Sequence, residues 1–306
     1  SIVVSHPQRG IRRVKIAGLS TYVPPKLLTN DDLQKLVDTN NEWILQRTGI
    51  KQRHIVEPGV ATSDLAREAA IGAMRQAGVT PEQIGFIVVG TTTPDTIFPS
   101  TACLLQNKIG ATNAWGFDLG AACSGFTYSL TTGMQMVASG AHEHALVVGA
   151  DVMSSIIDYT DRTTCVLFGD GAGAVVLTPA ADDEPAIRSF AHEIDGTGGP
   201  SLCMPAGGSL RPASHETVDQ RMHFVKQDGA AVFKNAVIAF ADQIDQPIQA
   251  RRIDAHRAVL AQLGDGDLAT LWNLQLRTAG DEHQQVDILR HLDMPVPTFG
   301  PFDTEE

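Results

Sequence analysis

Positive charge is scarce in this chain. Lysine and arginine together number 23 against 35 aspartates and glutamates, a formal net charge of −12. No basic block could neutralise a phosphate track, which argues against a nucleic-acid partner and against an anionic membrane surface. Long apolar runs are lacking as well: none approaches the roughly 18 residues of a membrane span. The opening "SIVVSHPQRGIRRVKIAGLS" has no charged-then-apolar layout of the kind that marks a signal peptide. Cysteine is sparse, with four in 306 residues (Cys103, Cys123, Cys165 and Cys203) and no CxxC pair. That excludes a disulfide framework and makes a reducing cytoplasm the expected location. There are no short repeats and no low-complexity segments. With 43% apolar and 19% charged residues, the composition fits either two domain-sized cores or one large α/β unit.

What is present is an alternation of strand and helix signals. "VKIAGLS" (Val14–Ser20) predicts a strand, and Asn30 predicts an N-cap for a helix over "DDLQKLVD" with Leu33, Leu36 and Val37 on one face. "TSDLAREAAIGAMRQAG" predicts an amphipathic helix stopped by Gly78. Thr80 and Gln83 fit a capping box before "IGFIVVGTTT", an apolar strand of the kind buried between two layers. "FPSTACLLQNKIG" and "CSGFTYSLTTGMQMVASG" predict helices, "WGFDLG" and "HALVVGAD" strands. "TTCVLFGDGAGAVVLT" predicts two strands meeting at a glycine-rich turn. Such alternation implies a parallel or mixed sheet covered by helices. After about residue 240 the text turns rich in Gln, Asp and Arg, with helical periodicity and an acidic end.

The stretch "DLGAACSGF" (Asp118–Phe126) sets Cys123 between a strand and a helix, crowded by Gly120, Ala121, Ala122 and Gly125. At a helix N-terminus, unsatisfied backbone N–H groups favour thiolate over thiol. Small neighbours allow a sharp turn and leave room for a substrate, the logic of a nucleophile elbow. Cys103, Cys165 and Cys203 are expected to lie in a helix, a strand and a loop, as structural residues.

Around this cysteine, "DLGAACSGFTYSL" resembles the nucleophile segment of the condensing enzymes of the thiolase superfamily, and more narrowly 3-oxoacyl-[acyl-carrier-protein] synthase III. "NNEWILQRTGIKQRHI", "GTTTPDTIFPSTAC", "TDRTTCVLFGDGAGAVVL" and "MHFVKQDGAAVFKNAV" resemble further blocks of that family, in its order, over residues 11 to about 238. The resemblance implies a thiolase-like α/β fold of two duplicated βαβαβαββ halves in α-β-α-β-α layers. Residues 1–180 would form the first half and 181–306 the second, with "GDGAGAVVL" ending one and "AIRSFAHEIDG" opening the other. It implies that Cys123 takes an acyl group from acyl-CoA, with acetyl-CoA the expected donor. Malonyl-acyl carrier protein then decarboxylates and attacks the thioester, initiating fatty-acid synthesis. Trp43 and Arg47 match residues that sandwich the coenzyme A adenine, with Arg162 on the other side; Thr39 matches a position near the coenzyme's head. Stacking of an indole and a guanidinium on a purine fits that role. Phe98 matches a residue that walls the partner's acyl pocket across a homodimer interface. No metal or organic cofactor is implied.

The second half departs from the family. Its His in "His-Gln-Ala-Asn" and Asn in "Gly-Asn-Thr", which stabilise the enolate, have no counterpart here. His256 in "DAHRAV" lies at about the expected distance from Cys123; His283, in "EHQQVD", keeps His-Gln but has Val286 in place of Asn. His291 and Asn273 match no family segment. For each histidine the surrounding residues favour a solvated helix position. The break near Ala239 fits a remodelled C-terminus, a displaced site or a change of reading frame, and its sharpness favours the last. The expected second half is therefore incomplete. Two rival readings follow: a catalytically defective homologue that accepts or binds acyl-CoA, and a related enzyme making a polyketide starter or a hydroxymethylglutaryl-type product.

Overall fold

A computed structural model describes residues 11–237. In chain order its elements begin with β1 (Val14–Tyr22), β2 (Lys26–Thr29), α1 (Asn30–Leu33), α2 (Asn41–Thr48), β3 (Gln52–Ile55) and α3 (Thr62–Ala77). Then come β4 (Phe86–Gly90), α4 (Thr101–Ile109), β5 (Trp115–Leu119), α5 (Gly125–Ala138) and β6 (Ala145–Val152). After these lie α6 (Arg162–Cys165), β7 (Asp170–Pro179), β8 (Leu202–Cys203), α7 (His215–Asp219) and β9 (Lys226–Gln227).

Five strands form one mixed sheet in the order β1-β7-β6-β4-β5. β4 runs parallel to both β5 and β6, whereas β7 is antiparallel to β6 and to β1. All five residues of β4 are buried, as an uninterrupted apolar run between two layers requires. The period-two alternation divides them cleanly. Ile87 and Val89 join Leu146 and Val148 under the alanine face of α3 (Ala66, Ala69, Ala70, Ala73). Phe86 and Val88 join Val147, Val175 and Leu177 against Val137 and Ala138 of α5. The sheet is thus covered on both sides. The small face of α3 permits close approach: a Cβ on Gly18 of β1 would lie 2.2 Å from the Ala73 carbonyl oxygen.

Most predicted elements are found where the periodicity put them, and four differ. Thr29, not Asn30, is the N-cap of α1; its side chain and that of Asp32 form a capping box. Asn30 is instead buried inside the first turn, where its amide donates to Asn41 Oδ1 and to the Ile50 carbonyl. α1 ends at Leu33, half the predicted span, because only Leu33 is fully buried while Leu36 is exposed. "TTCVLFGDGAGAVVLT" yields the short helix α6 and a single long strand β7, so Gly171 and Gly173 lie within a strand that pairs on both sides while Gly169 precedes it. Cys165 consequently sits in a helix rather than a strand, and Cys203 in the two-residue β8 rather than a loop. In "AIRSFAHEIDG", Ile187 N–H donates to the Val14 carbonyl alongside β1.

Candidate active site

Three loops meet at the C-terminal ends of the parallel strands β4, β5 and β6, the usual place for a site in an α/β sheet. Carboxylates at strand ends tie down the segments that follow β4 and β6. Asp118 of β5 accepts from the Thr101 and Ala102 amides at 2.7 and 2.8 Å, capping α4. Asp151 of β6 holds Thr91, Thr92 and Thr93. Asp170, opening β7, accepts from Val56 N–H and from both N–H and Oγ of Ser154.

Cys123 sits in a single 3-10 turn (Ala122–Ser124) that leads into α5. The glycine-rich surroundings have a specific purpose. A Cβ on Gly90, the last residue of β4, would lie 2.6 Å from the Gly125 carbonyl carbon and 2.7 Å from its oxygen. Backbone thus packs on backbone, drawing the first turn of α5 down onto the sheet. Ala122 adopts φ 44°, a left-handed conformation that costs an alanine about 1–2 kcal/mol. The strain lies immediately before the cysteine, as in an elbow. Cys123 is exposed. Its thiol is nevertheless pushed up from the ordinary value, first by surrounding protein, then by the Asp151 carboxylate, against a smaller backbone hydrogen bond. Among the described residues, desolvation and a like charge thus act against the thiolate bias expected from the helix terminus. Cys165, by contrast, is buried among Leu33, Ile44 and Val166 and is a packing residue.

A second cluster lies on α2 and α6. Trp43 is bracketed by two guanidinium groups, Arg47 at 5.1 Å and Arg162 at 5.0 Å from the ring centroid. Arg47 is one helical turn after Trp43 on α2, so the two share a face. Arg162, the first residue of α6, also donates to the Asp38 carbonyl at 3.0 Å. Thr39 lies next to Asp38, with its Oγ1 buried and without a hydrogen-bond partner in the described residues. Beneath this cluster, the buried Arg53 donates to the Val166 carbonyl and to Asn30 Oδ1, joining β3 to α6 and α1. Burial lowers its pKa to about 10. Asp158 accepts from Thr160 and from the Arg221 guanidinium through both oxygens, which anchors the segment after α7.

Phe98 and its neighbour Ile97 are 83% and 86% exposed, in the loop between β4 and α4. The structure therefore brings Trp43, Arg47, Arg162 and Thr39 into one neighbourhood and places Cys123 and Phe98 at the sheet ends. His256, Asn273, His283 and His291 lie outside the described residues. Sequence reading missed Asp118, Asp151 and Asp170, because an aspartate at a strand end has no local pattern. The one available hint was that each follows or opens an apolar strand. Among the described residues no helix is long and apolar enough to cross a membrane.

A family profile described as 3-Oxoacyl-[acyl-carrier-protein (ACP)] synthase III matches residues 117–196, from β5 through the nucleophile turn to the segment after β7. The chain is 55% identical over 240 residues to the beta-ketoacyl-[acyl-carrier-protein] synthase III of Koribacter versatilis, a match covering 78% of this chain and 72% of that one. It is 61% identical over 226 residues to the protein of the same name from Solibacter usitatus, covering 73% and 68%. The crystal structure of 3-oxoacyl-(acyl carrier protein) synthase III from Pseudomonas aeruginosa PAO1 superposes with TM-score 0.75 at 32% identity, covering 93% of this chain and 82% of that one. With its thiolase-like sheet and its cysteine turn, this chain belongs to the beta-ketoacyl-[acyl-carrier-protein] synthase III family.

Proposed function

We propose that the chain catalyses the decarboxylative condensation of acyl-CoA with malonyl-acyl carrier protein, initiating fatty-acid synthesis, with Cys123 as the acyl carrier. The observation that carries this reading is the strained turn at Ala122–Cys123, held on the sheet by the Gly90–Gly125 contact. Transfer to the cysteine is balanced in protons: the sulfur bonds to the acyl carbon, the carbon–sulfur bond to coenzyme A breaks, and the thiol proton leaves with the coenzyme. In the second step carbon dioxide leaves malonyl, and the carbanion bonds to the acyl carbon. Cys123 departs as thiolate and takes a proton from solvent.

Coenzyme A binding is assigned to Trp43, Arg47, Arg162 and Thr39. Arg162 lies 5.0 Å from the indole centroid, in cation–π range, so a purine entering between them displaces the guanidinium and stacks in its place. The unpartnered Thr39 Oγ1 supplies a hydroxyl nearby. Phe98 is assigned to the acyl pocket of a second copy in a homodimer, which its exposure supports. Residues 1–180 and 181–306 are assigned to the two halves, with β7 ending at Pro179.

The absence from the sequence of the family's His-Gln-Ala-Asn and Gly-Asn-Thr segments favours a second reading, a homologue that accepts an acyl group but does not condense. Intact mass after acetyl-CoA, followed by malonyl-acyl carrier protein, separates the two. An acetyl adduct that discharges to 3-oxoacyl product supports condensation; one that persists supports the second reading.

A further inference from the structure

Trp43 and Arg162 meet from different helices, and α6, which carries Arg162, has only four residues. A helix that short has too few bonds of its own to hold a position, so its placement against α2 is set from outside. A line of hydrogen bonds through the interior does this. The Val166 carbonyl, at the C-cap of α6, accepts from Arg53 Nε at 3.1 Å and from Arg53 Nη2. Arg53 Nη1 donates to Asn30 Oδ1 at 2.5 Å. Asn30 Nδ2 donates onward to Asn41 Oδ1 at 3.0 Å and to the Ile50 carbonyl at 2.9 Å. Asn41 is the first residue of α2, and Ile50 follows Gly49, the C-cap of that helix. One amide therefore clasps both ends of the helix that bears Trp43 and Arg47, and one guanidinium ties that amide to α6.

Cohesion alone does not call for these residues. Leu33, Ile44, Cys165 and Val166 already pack α1, α2 and α6 into one apolar cluster. Arg53 and Asn30 are 3% and 2% exposed, and among the described residues Arg53 enters no ion pair. A buried cation without a counter-ion is a costly way to join elements. What it adds is a planar fork that reaches two acceptors in a fixed geometry. We propose that Arg53 and Asn30 are positioning residues: they set the spacing of α2 and α6, and with it the slot between Trp43 and Arg162 that receives the coenzyme A adenine. The proposal rests on the assignment of that slot to the adenine. Both residues act through the helices they hold, and the affinity for the coenzyme reports their effect.

The test is calorimetric titration of the full chain with coenzyme A. Thermal denaturation and the rate of iodoacetamide alkylation at Cys123 report whether the rest of the fold is intact. Asn30→Asp still accepts from Arg53 but has no amide to donate to Asn41 and Ile50. Its Kd should rise about fivefold, the loss of a buried hydrogen bond expressed as affinity. Asn41 is exposed, so Asn41→Ala keeps the fold even where Asn30→Asp does not; it removes one of the two clasps, and Kd should rise about twofold. In both variants alkylation of Cys123 stays at the rate of the unaltered chain. Variants that bind coenzyme A as tightly as the unaltered chain overturn the proposal. So does a loss of affinity matched by faster alkylation, which marks general loosening. Trp43→Ala, titrated alongside, separates this proposal from the reading beneath it. A Trp43→Ala chain with unchanged Kd refutes the slot itself, and the proposal with it. A weakened Trp43→Ala beside unaffected Asn30→Asp and Asn41→Ala refutes the positioning alone.

Discussion

The nucleophile turn and the tryptophan cluster hold reactive surfaces by opposite means. At Cys123 the positioning is done by backbone on backbone, Gly90 against Gly125, with carboxylates pinning the flanking loops. At Trp43 it is done by long side chains, two guanidinium groups on one indole. Backbone contact is rigid and intolerant, because nothing can rotate away. Side-chain stacking is adjustable, and an incoming aromatic ring can replace either cation. The first arrangement suits a covalent step needing sub-ångström placement, the second a ligand that comes and goes.

Gly90→Ala is the sharpest way to break the comparison. The new methyl meets backbone at 2.6 Å, so we expect about 3 kcal/mol of destabilisation, the upper range for overpacking, and loss of acyl-enzyme formation. Thermal denaturation and intact mass check it. Gly125→Ala sharpens it from the other side. Its methyl would lie 3.5 Å from Gly90 Cα, and its φ of −54° is helical. Stability should change by less than about 1 kcal/mol, in the stabilising direction set by helix propensity.

Trp43→Ala should raise the KM for acetyl-CoA by roughly tenfold, about 1.4 kcal/mol of lost stacking, with kcat and the alkylation of Cys123 unchanged. Asp158→Asn should cost about 1 kcal/mol, less than a fully buried ion pair because the Arg221 side chain is 48% exposed. The corresponding pH effect has a definite sign. Arg221 and Thr160 hold the Asp158 carboxyl well below the usual range. Its contribution is therefore present above the unfolded-state pKa, near 4, and is lost as pH falls through the lowered folded value. Urea unfolding of both proteins should converge on acidification. Arg162→Ala ranks last, with a two- to fivefold rise in KM for about 0.5–1 kcal/mol at an exposed cation–π contact. A larger effect than that of Trp43→Ala would reverse the assigned order of the two side chains.

Legibility followed the range of the forces. β4 and α3 were readable because their pattern is local: a five-residue apolar run, and an alanine face ended by Gly78 at φ 66°. The N-cap of α1 was misread because Thr29 and Asn30 are both capping residues; the choice was settled by Arg53 and Ile50, which claim Asn30 from beyond the helix. In β7 the glycines suggested a turn, yet pairing with strands on both sides overrode local preference. Cys123 could be singled out from its neighbours, but the direction of its pKa could not. That direction is set first by the protein packed around the sulfur and then by Asp151, 28 positions later in the chain, both products of tertiary packing. The Trp43–Arg162 contact has the same long-range character, and it entered the sequence reading through resemblance rather than spacing.

The central claim is that the first half of the chain carries a working acyl-accepting cysteine. Intact mass of the full chain after incubation with acetyl-CoA tests it most directly, with Cys123→Ser as the reference. The account predicts a mass gain of one acetyl group, mapped to Cys123 and missing from the variant. An acetyl group that appears on the variant at the same rate, or on no residue of the unaltered chain, would contradict it.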